Sequence, residues 1–227
     1  MSLTLYLHPL ASFCHKVMIA LEEAQLPYRA VTVDFADPAS AKQVSDQWPV
    51  GKIPLLHDEA SGRHVPETTI ILEYLAERHA SLARLWPSAE ETRLEARLWD
   101  RFFDLYVQQP MQKIVIDRIR PPGANDPHGV AEARENLRVA YAMIEERMAD
   151  RVWAVGKEFA IVDCAAFPAL FFAGIVEPFP ASATALSAYF ERLLARPAVA
   201  SVLAQAQPYF TMFPYRDAMP ARFLPGA

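Results

Sequence analysis

The chain of 227 residues is poor in cysteine, having only Cys14 and Cys164, which lie far apart in apolar, helix-patterned surroundings. That spacing argues against a disulfide-stapled scaffold and fits a reducing cytoplasm, where this protein is expected to reside. No GxGxxG and no GxxxxGK[ST] occurs, so neither nucleotide fingerprint is present. No apolar run reaches the roughly 18 residues of a membrane span. The N-terminus lacks a basic stretch followed by an apolar core and a small-residue cleavage site, so no secretory signal is expected. The six histidines are scattered, with no HxxxH or CxxC pair, so no metal is expected. The net charge of −5 and the lack of a Lys/Arg stripe argue against nucleic acid as a partner. What is present is a globular composition, 52% apolar and 22% charged, with enough apolar residues for a substantial core.

The first third alternates strands and helices. Residues 3–8 read as a strand, and 12–25 as a helix with Ser12 as N-cap. Residues 28–33 read as a second strand, parallel to the first across the helical crossover. A short helix over 39–47, strands at 53–57 and 63–65, and a helix over 67–79 complete a β-α-β-α-β-β-α unit. Residues 82–88 read as a linker, and Ser88-Ala89-Glu90-Glu91 as a capping box. Beyond it no strand is expected. Leu94, Leu98, Phe102, Leu105 and Tyr106 mark an amphipathic helix that must bend or stop by Pro110. Asp126 and Pro127 are a cap and first helical residue, followed by a stripe of Leu137, Tyr141, Ile144 and Met148. Further helices are expected over 162–175, 186–195 and 199–206.

Within the first unit, Trp48-Pro49-Val50-Gly51-Lys52-Ile53-Pro54-Leu55-Leu56 places a proline where a loop gives way to a strand. Proline has no N–H for the ladder, and a cis Ile53–Pro54 bond at the corner is one resolution. Eleven residues on comes Val65-Pro66-Glu67-Thr68-Thr69-Ile70, with Glu67 and Thr68 at a helix start, a place that favours anions. Upstream, the strand Leu3–His8 runs into Phe13-Cys14-His15-Lys16-Val17. This order of parts resembles the cytosolic glutathione transferases. The resemblance implies an α/β thioredoxin-like domain over residues 1–81, an all-α domain over residues 88–227 and, for the whole protein, a homodimer. The second half adds Ala160-Ile161-Val162-Asp163, similar to the family's helix-starting motif but with Ala160 where a Ser or Thr caps.

The resemblance implies that reduced glutathione is the co-substrate. Ile53, beside Pro54, would pair its cysteinyl amide by strand addition. Thr68 would receive the γ-glutamyl carboxylate, Glu67 the ammonium group and Lys52 the glycyl carboxylate. The sulfur needs a donor, because a free thiol near 8.5 is mostly protonated at pH 7. Many bacterial members read Ser-Pro-Phe-Cys-x-Lys-Val at the first turn. Here Ala11 stands at the serine position and Ser12 at the proline position. Ser12 is the first candidate donor through its hydroxyl or backbone N–H, with Cys14 and Tyr6 as alternatives. Phe13, Phe103, Tyr106, Val107 and Pro110 are the expected walls of a small apolar electrophile pocket, with Arg101 and Asp104 as polar positions nearby. The aromatic tail, residues 207–227, is expected to pack over the interdomain groove. Two other readings compete with conjugation: a glutathione-binding or structural module with little transferase activity, and a Cys14-dependent thiol oxidoreductase.

Overall fold

The computed structural model describes residues 2–224. Strands β1 (Leu3–Leu7), β2 (Arg29–Thr32), β3 (Leu55–Asp58) and β4 (Arg63–Pro66) form one sheet in the order β2-β1-β3-β4. β1 and β2 are parallel, joined by the crossover helix α1 (Ser12–Glu23), while β3 is antiparallel to both β1 and β4. Alternation along β1 sorts the two faces. Leu3, Leu5 and Leu7 enter the main core with α1 and α3 (Thr68–Ala76), while Tyr6 joins a smaller cluster of Val33, Val44 and Leu55 beneath α2 (Pro38–Ser45). The β3–β4 hairpin is pinned by Asp58, whose carboxylate accepts from Ala60 N–H (3.0 Å), Ser61 Oγ (3.0 Å) and Tyr74 Oη (2.6 Å).

The rest of the described chain is helical: α4 (Ala80–Ala83), α5 (Glu90–Phe102), α6 (Gln109–Arg118), α7 (Pro127–Met148), α8 (Ile161–Val176), α9 (Thr184–Leu194) and α10 (Pro197–Ala206). Helix α8 is the axis, buried at every residue but Gly174 and packed against α1, α5, α6 and α9. Its first turn is fastened by Asp163, which accepts from Ala160 N–H (2.8 Å), Ala154 N–H (3.0 Å) and Tyr189 Oη (2.5 Å). The aspartate therefore holds the helix start although Ala160 offers no side-chain cap.

Several local expectations are corrected. The cap of α1 is Ala11, with Ser12 the first helical residue. α5 is preceded by Ala89 with no side-chain cap, so Ser88 forms no capping box. The stretch read as a linker begins inside α4, and its Leu82 is fully buried. α3 begins at Thr68 and ends at Ala76. The bend expected by Pro110 takes a specific form: between α5 and α6 the helix widens into a π turn over Phe103–Gln108, and Pro110 follows it as the second residue of α6. Asp126 caps α7 as expected, accepting from Gly129 N–H at 2.9 Å.

Candidate functional site

Between the sheet domain and the helices runs a groove with a polar and an apolar end. The polar end starts at the turn Trp48–Gly51, closed by Gly51 N–H donating to the Trp48 carbonyl at 2.8 Å. Gly51 has φ 67°, a conformation that glycine adopts without cost. Lys52 and Ile53 follow, and the Ile53–Pro54 bond is cis. Across from them Glu67, at φ 68°, turns the chain from β4 into α3. A non-glycine residue held there costs about 1–3 kcal/mol, a strain often met at ligand sites. The first N–H groups of α3 have no acceptor within the helix and carry the positive end of its dipole. Trp48, Lys52, Ile53, Pro54, Glu67 and Thr68 border a cavity of about 140 Å³ that Arg101 and Asp104 close from the helical domain.

A buried ionic knot ties this end together. Lys16 Nζ, in α1, lies 2.7 Å from Asp100 Oδ1 and 2.9 Å from Asp104 Oδ2, and donates to Thr69 Oγ1 at 3.1 Å. Thr69 Oγ1 donates in turn to Asp100 Oδ2 at 2.6 Å, and Arg101 bonds Asp104 from the rim at 3.0 Å. Burial pushes the Asp104 carboxyl up, and Lys16 opposes that shift. One lysine thus joins α1, the start of α3 and the helical domain. The sequence offered Lys16 as part of a motif and Asp104 and Arg101 as polar positions, but gave no sign of the contact, since 88 residues separate Lys16 from Asp104.

The apolar end is a cavity of about 680 Å³ that shares Phe13, Lys52, Ile53 and Gln112 with the polar end. His8, Leu10, Ala11 and Ser12 form one side, Met111, Val115 and Ile116 of α6 with Ile119 just beyond it another, with Phe172 of α8 on its border. Met212, Phe213 and Pro214 of the tail close over it, and Phe213 packs on Phe172 with ring centroids 5.3 Å apart. The tail therefore covers the groove as expected, although residues 225–227 lie outside the described residues. Beneath the β1–α1 loop, His15 is fully buried, its Nε2 2.6 Å from the Pro9 carbonyl oxygen. Burial lowers its pKa to about 4, so the ring is neutral and Nε2 is the donor.

The expected sulfur donors fall in different places. Ser12 lies on the groove wall, and its Oγ accepts a hydrogen bond from Gln108 Nε2. Cys14 is fully buried, and desolvation pushes its thiol up to about 12. It faces the core, away from the groove. Tyr6 packs under α2 on the far face of the sheet. Of the expected electrophile walls, Phe13 lies in the groove. Phe103 and Val107 are core residues, Pro110 is buried, and Tyr106 is 58% exposed, and none of these four borders the groove. The wall lies further along, on α6, after the π turn that holds Phe103, Tyr106 and Val107. Among the described residues no cluster of three or more metal-ligating side chains occurs, and no helix is long and apolar enough to cross a membrane.

Sheet order, cis corner, strained helix start and helical cover together define a class, and comparison with known proteins gives the same one. The model of the glutathione S-transferase N-terminal domain matches residues 11–78, and that of the C-terminal domain residues 106–197. The chain belongs to the glutathione S-transferase family and is a glutathione transferase by class. It is similar to glutathione S-transferase GstB of Escherichia coli, 28% identical over 195 residues that span 83% of this chain and 91% of that protein. FtsZ-localized protein A of Caulobacter vibrioides is 28% identical over 173 residues, 72% of this chain and 73% of that one. A solved glutathione S-transferase of Methylobacterium radiotolerans, in complex with glutathione sulfonate, is 27% identical with a TM-score of 0.79, covering 89% of this chain and 94% of that chain.

Proposed function

We propose that the protein binds reduced glutathione along the polar end of the groove, stabilises its thiolate, and conjugates it to a small apolar electrophile held at the other end. The observation that carries this reading is the continuity of the groove: the residues suited to an anionic peptide and those suited to an apolar molecule share Phe13, Lys52, Ile53 and Gln112. Ile53 offers a backbone edge to the cysteinyl unit. Thr68 and the start of α3 take the γ-glutamyl carboxylate, Glu67 the ammonium group, and Lys52 the glycyl carboxylate.

The sulfur then falls near the junction, where Ser12 opens α1. Its hydroxyl and the unsatisfied N–H groups of that first turn favour the thiolate. The thiol proton leaves to water, and the sulfur lone pair forms the C–S bond while the electrophile's leaving group departs with its bonding pair or, at an activated double bond, the π pair shifts to the neighbouring carbon and takes a proton from water. The protein supplies position and a lowered thiol pKa, each unit of which is worth about 1.4 kcal/mol.

Calorimetric titration with reduced glutathione tests the reading. Saturable binding weakened by Thr68→Ala is expected; no binding at millimolar glutathione would refute it. The departure at Ala11 keeps a second reading alive, a glutathione-binding module with little turnover. Conjugation that falls in Ser12→Ala while glutathione still binds supports the enzyme. The oxidoreductase reading requires an accessible Cys14 thiolate, and the burial of that thiol opposes it. We also propose a cytoplasmic homodimer. Two free, buried cysteines support the location. Exposed Ile70, Leu94 and Leu98, on the two helices linked by the Arg97–Glu73 ion pair (3.1 Å), support self-association. Sedimentation of Leu98→Glu as a monomer beside a dimeric parent would bear this out.

A further inference from the structure

The π turn between α5 and α6 faces the first turns of α1 in a paired, antiparallel way. Asp104 and Gln108, four residues apart on the π turn, meet Lys16 and Ser12, four residues apart on α1. The Asp104–Lys16 pair is part of the buried knot already described. The Gln108–Ser12 pair has no such structural companion. Gln108 is 2% exposed, and among the described residues its Oε1 has no hydrogen-bond partner. A buried amide with an unpaired oxygen is costly, and such groups in a native fold call for an explanation. Single π turns recur at functional sites because the extra residue re-aims the side chains around it.

We infer that Gln108 is a positioning residue that sets the direction of the Ser12 hydroxyl. The inference rests on the reading of Ser12 as the thiolate donor. The amide N–H of Gln108 donates into Ser12 Oγ. An oxygen that accepts there still carries its own hydrogen, which is then free to point elsewhere. Ser12 lines the groove, so that hydrogen is available to the sulfur of bound glutathione. Were Gln108 an acceptor, the hydroxyl would spend its hydrogen on it and the sulfur would lose its donor. The serine keeps its proton throughout, and the thiol proton leaves to solvent. A residue of the helical domain thereby controls which way a donor of the sheet domain points, through a contact 96 residues long in sequence.

The test is ultraviolet pH titration of the thiolate of bound glutathione, in the full-length parent and in Ser12→Ala, Gln108→Met and Gln108→Glu. Binding by calorimetry and melting by circular dichroism are followed alongside. Gln108→Glu keeps the size and the hydrogen-bonding reach but can only accept when ionised. The expected result is a titration midpoint raised by about one pH unit in all three variants, with Ser12→Ala/Gln108→Met no higher than Ser12→Ala alone. A raised midpoint in Ser12→Ala with parental midpoints in Gln108→Glu and Gln108→Met would overturn the role of Gln108 and leave the serine assignment standing. A parental midpoint in Ser12→Ala would overturn both. Failure of the parent to bind glutathione would overturn the reading on which both depend. Should Gln108→Met fail to fold, Gln108→Glu is read against Ser12→Ala/Gln108→Glu: the role of Gln108 stands if the double variant is no higher than Gln108→Glu alone and falls if the two shifts add, since the new carboxylate raises the thiol midpoint by charge in either background.

Discussion

The two ends of the groove are built in opposite ways. The polar end is framed by short stretches of the sheet domain, a glycine turn, a cis corner and a strained helix start between Trp48 and Thr68, with Arg101 and Asp104 closing it from the helical domain. Much of what it offers a ligand is backbone. The apolar end is made of side chains drawn from the β1–α1 loop, α6, α8 and the tail, so its nearest and farthest parts are some 200 residues apart in sequence. A backbone site changes little when side chains are exchanged, whereas a side-chain wall can be altered one residue at a time. The first suits a ligand that stays the same, the second a partner that varies.

The largest effect that would break this contrast is at Lys16. Lys16→Met leaves Asp100 and Asp104 facing each other without their buried cation. It should cost about 3–5 kcal/mol in urea unfolding. A loss below about 1 kcal/mol would mean the polar end does not depend on the knot behind it.

His15 supports the apolar end in a pH-dependent manner. Its folded pKa of about 4 lies below the ordinary 6.5, so the fold prefers the neutral ring. The stability it contributes is complete above pH 6.5 and is lost as the pH falls toward 4. Between pH 7 and pH 5 the parent should therefore lose about 2 kcal/mol more than His15→Gln, which keeps a donor for the Pro9 carbonyl. Equal acid sensitivity in the two proteins would show that His15 titrates normally.

Smaller still is Thr68→Ala, which removes one hydroxyl while leaving the N–H groups of α3 in place. Glutathione affinity should fall about tenfold by calorimetry, with the KM for the electrophile unchanged. Met212→Ala should do the reverse. This side chain is 63% exposed on the groove, so stability should hold within about 0.5 kcal/mol while the KM for an apolar electrophile rises a few-fold. If either change moved both substrates together, the two ends would not be separable.

What could be read from the sequence follows the same division. The stretch around Ile53-Pro54 and the Glu67-Thr68 helix start were legible because their chemistry is local: proline lacks an N–H, and a helix start needs partners. The helix stripe of Leu137, Tyr141, Ile144 and Met148 was legible for the same reason and is buried throughout in α7. The apolar wall was not. Phe103, Val107 and Pro110 were expected in it because the pocket should lie between the domains, but the first two are core residues and Pro110 is buried, and no local signal announces the π turn that holds Phe103 and Val107. Gln108 was passed over because its partner, Ser12, meets it only after the two domains dock. Ser12 itself looked like a cap, yet Ala11 takes that position and the serine is turned to the groove.

The two cysteines have a consequence for the protein's own survival. A catalyst that gathers reactive electrophiles also exposes itself to them, and thiolates are the first groups such compounds alkylate. Cys14 and Cys164 are both fully buried, and desolvation holds both thiols in the protonated form. In the proposed conjugation, the sulfur that meets the electrophile is the one that arrives with glutathione and departs with the product. On that reading the chain's own thiols are withheld from alkylation while glutathione's is the one offered.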